Sequence, residues 1–248
     1  MTTSARRGLV VPSVLALLGL AVLLGLGTWQ VERKAWKEAL IATIAQRLAA
    51  APVPLPGRAQ WARLDAASDE FRRVVFTATF LNDQEALVYT TGSSLRSDVT
   101  GVGYWVFAPA RLADGALVMV DRGFVPEGRR DQKTRADGQV AGPTEVVGVL
   151  RWPDPVGLFT PAADPKANLW FVRDPAAMAA AKGIGPVAPF YVEQEGPLPP
   201  GGLPRPGSLH PSLPNNHLGY AITWYGLAAT LVGVFAAWLI ARRRAEQT

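Results

Sequence analysis

The sequence predicts a membrane protein in which two transmembrane α-helices enclose a mostly β extramembrane domain, antiparallel and barrel-like, with one short helix. Three observations point to this. Uncharged apolar runs lie near both ends of the chain, at 8–27 and 218–241. Between them come short β-branched or aromatic runs separated by Gly, Pro, Asp and Asn, with a single alanine-rich stretch that carries helix caps.

Residues 1–7 are read as a cytoplasmic N-terminus and 8–28 as the first transmembrane helix. The 20 residues 8–27 hold no charge, and at about 1.5 Å per residue they match the thickness of a bilayer core. A cleaved signal peptide would have a shorter apolar core ending at a small-residue site. This run ends at Trp29-Gln30 and then charges, so an uncleaved anchor is expected.

Residues 29–50 continue as a helix, because Leu40, Ile41, Ile44 and Leu48 recur at three- and four-residue steps. The proline-spaced APVPLPG ends it. A β-rich periplasmic domain is expected over 51–195, with strands at 74–80, 86–90, 104–110, 116–123, 145–151, 168–172 and 189–194. Its one helix starts at the Asp174-Pro175 cap and stops at Gly183. Residues 196–217 form a proline-rich extended return, 218–241 the second transmembrane helix and 242–248 a cytoplasmic C-terminus.

The formal net charge of the 248 residues is +5. Residues 1–28 hold +2, residues 218–248 hold +2, and the long middle holds only +1. A basic patch for nucleic acid therefore has no support. Positive flanks at both ends place both termini in the cytoplasm and the domain on the outer side, periplasmic or its organellar equivalent; a bacterial inner membrane is expected.

The absence of cysteine excludes disulfides, thiolate nucleophiles and cysteine-ligated zinc. The two histidines, His210 and His217, fall in or just after the proline-rich return, and there is no GxSxG elbow, which disfavours a hydrolase. GVGYWVF at 101–107 lacks the third glycine of a phosphate loop and leads into a strand. With only Met1, Met119 and Met178 as sulfur residues, copper carriage is disfavoured too.

Haem asks less of a protein, since the macrocycle supplies four nitrogens and the chain need add one axial ligand. On a helix running inward from Asn216, His217 shares a face with Tyr220, Ala221, Trp224 and Ala228. Two readings stand: a polar residue capping the span among headgroups, or an axial ligand above a flat apolar platform. Likewise Arg33 and Lys37, four apart on one helical face, could meet lipid headgroups or the propionates of a haem. Arg122, in DRGFVPEGRRD at a strand end and turn, reads as structural, pairing with Asp121 or another carboxylate. His210 reads as solvent-exposed.

Four tracts in order, GTWQVERKAWKEALI at 27–41, VDRGFVP at 120–126, GVLR at 148–151 with Phe159 and Pro161 beyond it, and NNHLGYAITWYGLA at 215–228, resemble the Surfeit-locus-one family of cytochrome c oxidase assembly factors. The resemblance runs from about 27 to 228, with Phe124 where members vary between Trp and Phe. It implies a non-enzymatic assembly factor for haem-copper cytochrome c oxidase, which binds haem a at the outer membrane surface and aids its insertion into subunit I, with haem a synthase a further partner. It implies His217 as the axial haem ligand and Trp29, Gln30, Arg33, Trp36, Arg122, Tyr220 and Trp224 as residues shaping the site, with no catalytic residue and no metal beyond the haem iron. The alternative is a scaffold that stabilises subunit I without binding haem.

Overall fold

The computed structural model describes residues 3–93, 96, 98–210 and 215–245. Residues 1–2 and 246–248 of the two predicted flanks, and 211–214 of the predicted return, lie outside the described residues, as do the side chains of 3–8. In chain order the helices are α1 (Thr3–Ala49), α2 (Ala66–Asp69), α3 (Pro175–Lys182) and α4 (His217–Ala245). The strands are β1 (Val53–Pro54), β2 (Arg73–Phe80), β3 (Ala86–Gly92), β4 (Thr100–Leu112), β5 (Leu117–Pro126), β6 (Pro143–Arg151) and β7 (Tyr191–Glu195). The chain divides into a helical unit, residues 1–42 with 214–248, and a second unit, residues 43–213.

In the helical unit, α1 runs without a break through the span and the predicted extension. Both α1 and α4 are long and apolar enough to cross a membrane. Their exposed side chains include Leu15, Leu18, Val22, Ile222 and Val234, apolar groups that suit a lipid surface. The two helices meet closely at small residues. A Cβ on Gly27 would come within 2.7 Å of the Tyr225 ring, and one on Gly19 within 3.3 Å of Leu231. Thr28 Oγ1 and Tyr225 Oη share a hydrogen bond of 3.2 Å at the same level.

The second unit is a closed five-stranded barrel. Its ring runs β2–β6–β7–β5–β4 and returns to β2 through the pairing of Ala78–Phe80 with Ala110–Leu112. All ring pairs are antiparallel except β5 with β7. β3 extends the edge beyond β4, and β1 lies parallel to β2. Alternate residues fill the interior: Val74, Ala78 and Phe80 of β2, Ala108 and Ala110 of β4, Val118 and Val120 of β5, Val146 and Leu150 of β6, and Val192 of β7. Small and β-branched side chains suit so narrow a ring. Trp61, edge-on to Phe190 at 5.6 Å, packs into the same core. The opposite face, with Phe107, Met119 and Tyr191, lies under Trp170 and Met178 of α3.

The caps of α3 are those its sequence requires. The Asp174 carboxylate accepts from Ala177 N–H at 3.0 Å, and Gly183 ends the helix at φ +65°. One predicted strand does not form. Residues 168–172 make only isolated bridges, Trp170 to Val88 and Leu169 to Asp164, because Asn168 turns the chain at φ +50°. The return is also less extended than its prolines suggest. A short 3-10 turn at Pro200–Gly202 leads to Arg205, whose backbone exchanges hydrogen bonds of 2.8 and 3.0 Å with Phe124.

Candidate functional site

α4 begins at His217, so the imidazole stands on the first turn of an apolar helix. Its Nδ1 lies 2.7 Å from Gln30 Oε1. A carbonyl oxygen can only accept, so Nδ1 donates here, and in the tautomer of the neutral ring that does so Nε2 holds the lone pair. Gln30 is buried, 8% exposed, and sits three residues beyond Gly27 on the buried stripe of α1. An amide at such a depth needs a partner, and His217 provides one. The donor set suits an axial ligand: an imidazole whose ring plane is held by an acceptor on the far nitrogen.

The rest of the predicted face divides. Ala221 and Ala228 are buried, His217 and Trp224 are half-buried, and Tyr220 is exposed. The stripe 217–221–224–228 is thus largely occupied in packing, and Tyr220 stands beside it. On α1, Trp29 and Trp36 are both exposed, and the Arg33 guanidinium lies 4.0 Å from the centre of the Trp36 ring. Arg33 is one turn from Gln30 on the same face of α1, which keeps a cation and an aromatic plane close to the His217–Gln30 pair along the helix. His210, in the second unit, is exposed, with Nδ1 3.1 Å from Ser208 O.

Arg122 belongs to the barrel and has its own setting there. Between Trp105 opposite Phe124 and Phe107 opposite Asp121, β5 places two residues, Arg122 and Gly123, against the single Val106. This β-bulge keeps Arg122 in the inward row of Val118 and Val120, and its guanidinium lies 4.6 Å over the Phe80 ring. Gly123 has φ +114°, and a Cβ there would stand 2.0 Å from Arg205 O. The RGF tract thus shapes the seat of the return segment.

Two buried carboxylates lie near the bulge, and neither is a hydrogen-bond partner of Arg122, whose acceptors are Asn82, Gln139 and the Gly138 carbonyl, so the expected Asp121–Arg122 pair does not form. Asp121 and Glu193 are register neighbours on β5 and β7. Burial first, and then the Glu193 charge, push the Asp121 carboxyl up to about 7 against the opposing pull of Arg173 and Arg96. Asp121 Oδ1 accepts from Gly123 N–H at 3.0 Å, while Glu193 is held by Arg151 Nη1 at 3.1 Å. The only sequence signal for such a pair was polar residues at positions of otherwise apolar strands.

Two membrane-crossing helices, one carrying a histidine fixed by a buried amide of the other, together with a closed five-stranded barrel, define a class of two-span membrane protein with a β-barrel domain. The SURF1 family model matches residues 17–229. The chain is 39% identical over 236 residues to a SURF1-like protein of Monosiga brevicollis, covering 92% of this chain and 87% of that one. It is 35% identical over 216 residues to Surfeit locus protein 1 of Homo sapiens, covering 83% and 70%. A SURF1-like protein of Drosophila melanogaster is 36% identical over 221 residues, covering 84% and 71%. The chain belongs to the SURF1 family.

Proposed function

We propose that this protein is a haem a carrier for the assembly of haem-copper cytochrome c oxidase, acting without catalysing a reaction, with His217 Nε2 as the axial ligand. The observation that carries the reading is the Gln30–His217 hydrogen bond, which leaves Nε2 as the free lone pair. Bound there, haem a would be cargo, its iron taking one nitrogen from the chain. Gln30 orients the ring, and Arg33 offers a guanidinium to carboxylates. Trp29, Trp36, Tyr220 and Trp224 supply aromatic surface near the ligand. A carrier must also release what it holds, and a single neutral imidazole allows exchange to an acceptor that offers two. That acceptor is oxidase subunit I in this reading, with haem a synthase as the donor and the outer face of a bacterial inner membrane as the place.

The test is to coexpress the chain with the enzymes that make haem a, purify it in detergent and record its absorption spectrum. Wild type should carry haem a, and His217→Ala should lose most of it while keeping the same circular dichroism. A colourless wild type would sink the carrier reading.

One observation favours a scaffold that holds subunit I instead. Val156, Leu158 and Phe159 are 76, 91 and 93% exposed, more so than the other large apolar side chains that are exposed among the described residues, those of the membrane-crossing helices included. A water-facing loop of this kind fits contact with another protein.

A further inference from the structure

The mouth of the barrel holds a charge without a counter-charge. Arg122 is 4% exposed. Its Nη1 donates to Asn82 Oδ1 at 3.0 Å and Gln139 Oε1 at 3.3 Å, and its Nη2 to Gly138 O at 2.6 Å. All three acceptors are neutral. Arg122 Nε and Gln139 Nε2 are buried donors with no hydrogen-bond partner among the described residues. The carboxylate that acts on Arg122 electrostatically is Glu85, and Glu85 is already engaged by both terminal nitrogens of Arg135. Burial accordingly lowers the Arg122 guanidinium to about 10. An isolated buried cation is among the costlier features a fold can retain.

A cavity of about 310 Å³ opens beside it. Arg122, Thr144 and Gln194 supply its polar wall, and Phe80, Val147 and the prolines of the return segment its apolar one. Two carboxylates also border it. Glu195 is neutralised by Arg73 Nε at 2.9 Å, and Glu145 is exposed to water. The return segment that closes the cavity is seated by Gly138, where a Cβ would stand 1.8 Å from Leu203 O, and by Gly123 against Arg205. A built recess and, on its wall, an unneutralised guanidinium whose Nε is an unused buried donor together describe a receptor for a negatively charged acceptor group.

We infer that the cavity at the barrel mouth binds a small carboxylate with an apolar body, whose charged end pairs with Arg122 while its body lies against Phe80, Val147 and the prolines. The inference concerns the barrel alone and does not depend on the haem reading, so each can fail without the other.

The test uses full-length protein in detergent with 15N-labelled arginine, titrated at constant ionic strength with sodium benzoate and, separately, with the uncharged isostere benzamide. One arginine Nε–H signal should shift saturably with benzoate, and benzamide should bind at least about tenfold more weakly, as loss of the charge-assisted bond requires. Arg122→Gln should remove that signal and the binding. Because this variant could fail to fold, Val147→Trp provides a second arm: it fills the recess from a half-buried position and leaves Arg122 in place, so the signal should persist but no longer respond. A wild type with no saturable shift, equal binding of benzamide, or an unchanged response in Val147→Trp would overturn the inference.

Discussion

Gln30 Oε1 and His217 Nδ1 lie 2.7 Å apart although 187 residues separate them in sequence. The bond decides which nitrogen of the imidazole carries the proton, and therefore which can bind a metal. Replacing Gln30 with Leu keeps a similar volume and removes the acceptor. In wild type the 15N shifts of His217 should report protonation at Nδ1, and Gln30→Leu should transfer the proton to Nε2 in most molecules. Under the carrier reading, haem occupancy should fall by about 10- to 100-fold, the range seen when the partner of a metal-binding histidine is lost. Unchanged 15N shifts in Gln30→Leu would show that Gln30 does not set the tautomer.

Gly123 allows the return segment to lie on β5. With φ +114° and Arg205 O 2.0 Å from where a Cβ would be, Gly123→Ala meets both backbone strain and a collision with main chain. The expected cost is about 2–4 kcal/mol, combining the two mechanisms. The loss should appear in denaturant unfolding of the purified protein. It should also appear as faster proteolysis within the return segment, since the Phe124–Arg205 backbone pair can no longer close.

The loop that carries Val156, Leu158 and Phe159 has the opposite expectation. Gly157 N–H donates to Thr160 Oγ1 at 2.9 Å and Thr160 N–H to Gly157 O at 3.1 Å, so the turn is closed by its own polar groups rather than by the three apolar side chains. Changing all three to Ser should alter stability by no more than about 0.5 kcal/mol. If the scaffold reading holds, the same variant should pull down less oxidase subunit I than wild type. Equal recovery of subunit I would remove the loop from that reading.

What the sequence made legible was local. An uncharged apolar run and a capped alanine-rich stretch follow from residues within a few positions of each other, so the spans and α3 could be placed before any tertiary contact was known. Closure of the ring could not, because the pairing of Ala78–Phe80 with Ala110–Leu112 and the parallel pairing of β5 with β7 depend on twist and long-range register. Residues 168–172 carried a strand's composition, but Asn168 at positive φ breaks the ladder. His217 was visible as an unusual residue at a helix start, and the family resemblance named Gln30 as a site residue; their pairing was not visible, since nothing local joins residues so far apart in sequence. For Arg122 a signal existed: a glycine within a strand pattern marks a bulge. Only the structure shows that the bulge holds an arginine at the barrel mouth.

Asp121 predicts how stability should vary with pH. Its carboxyl is raised from the ordinary aspartate value of 3.8 to about 7 by burial and by Glu193. Oδ2 has no hydrogen-bond partner among the described residues, a setting that favours the neutral acid. Between about pH 4 and pH 7 the folded chain therefore binds a proton that the unfolded chain has released. Folding is favoured while that proton is in place, so this contribution is fully present below the unfolded value and is lost as pH rises through about 7. Wild type should be more stable at pH 5 than at pH 8 by the part that Asp121 controls. Asp121→Asn keeps the shape and the acceptor for Gly123 N–H but cannot ionise, so its denaturation midpoint should change less over that interval. Parallel pH profiles for wild type and Asp121→Asn would mean that Asp121 is already ionised in the folded protein, neutralised by Arg173 and Arg96.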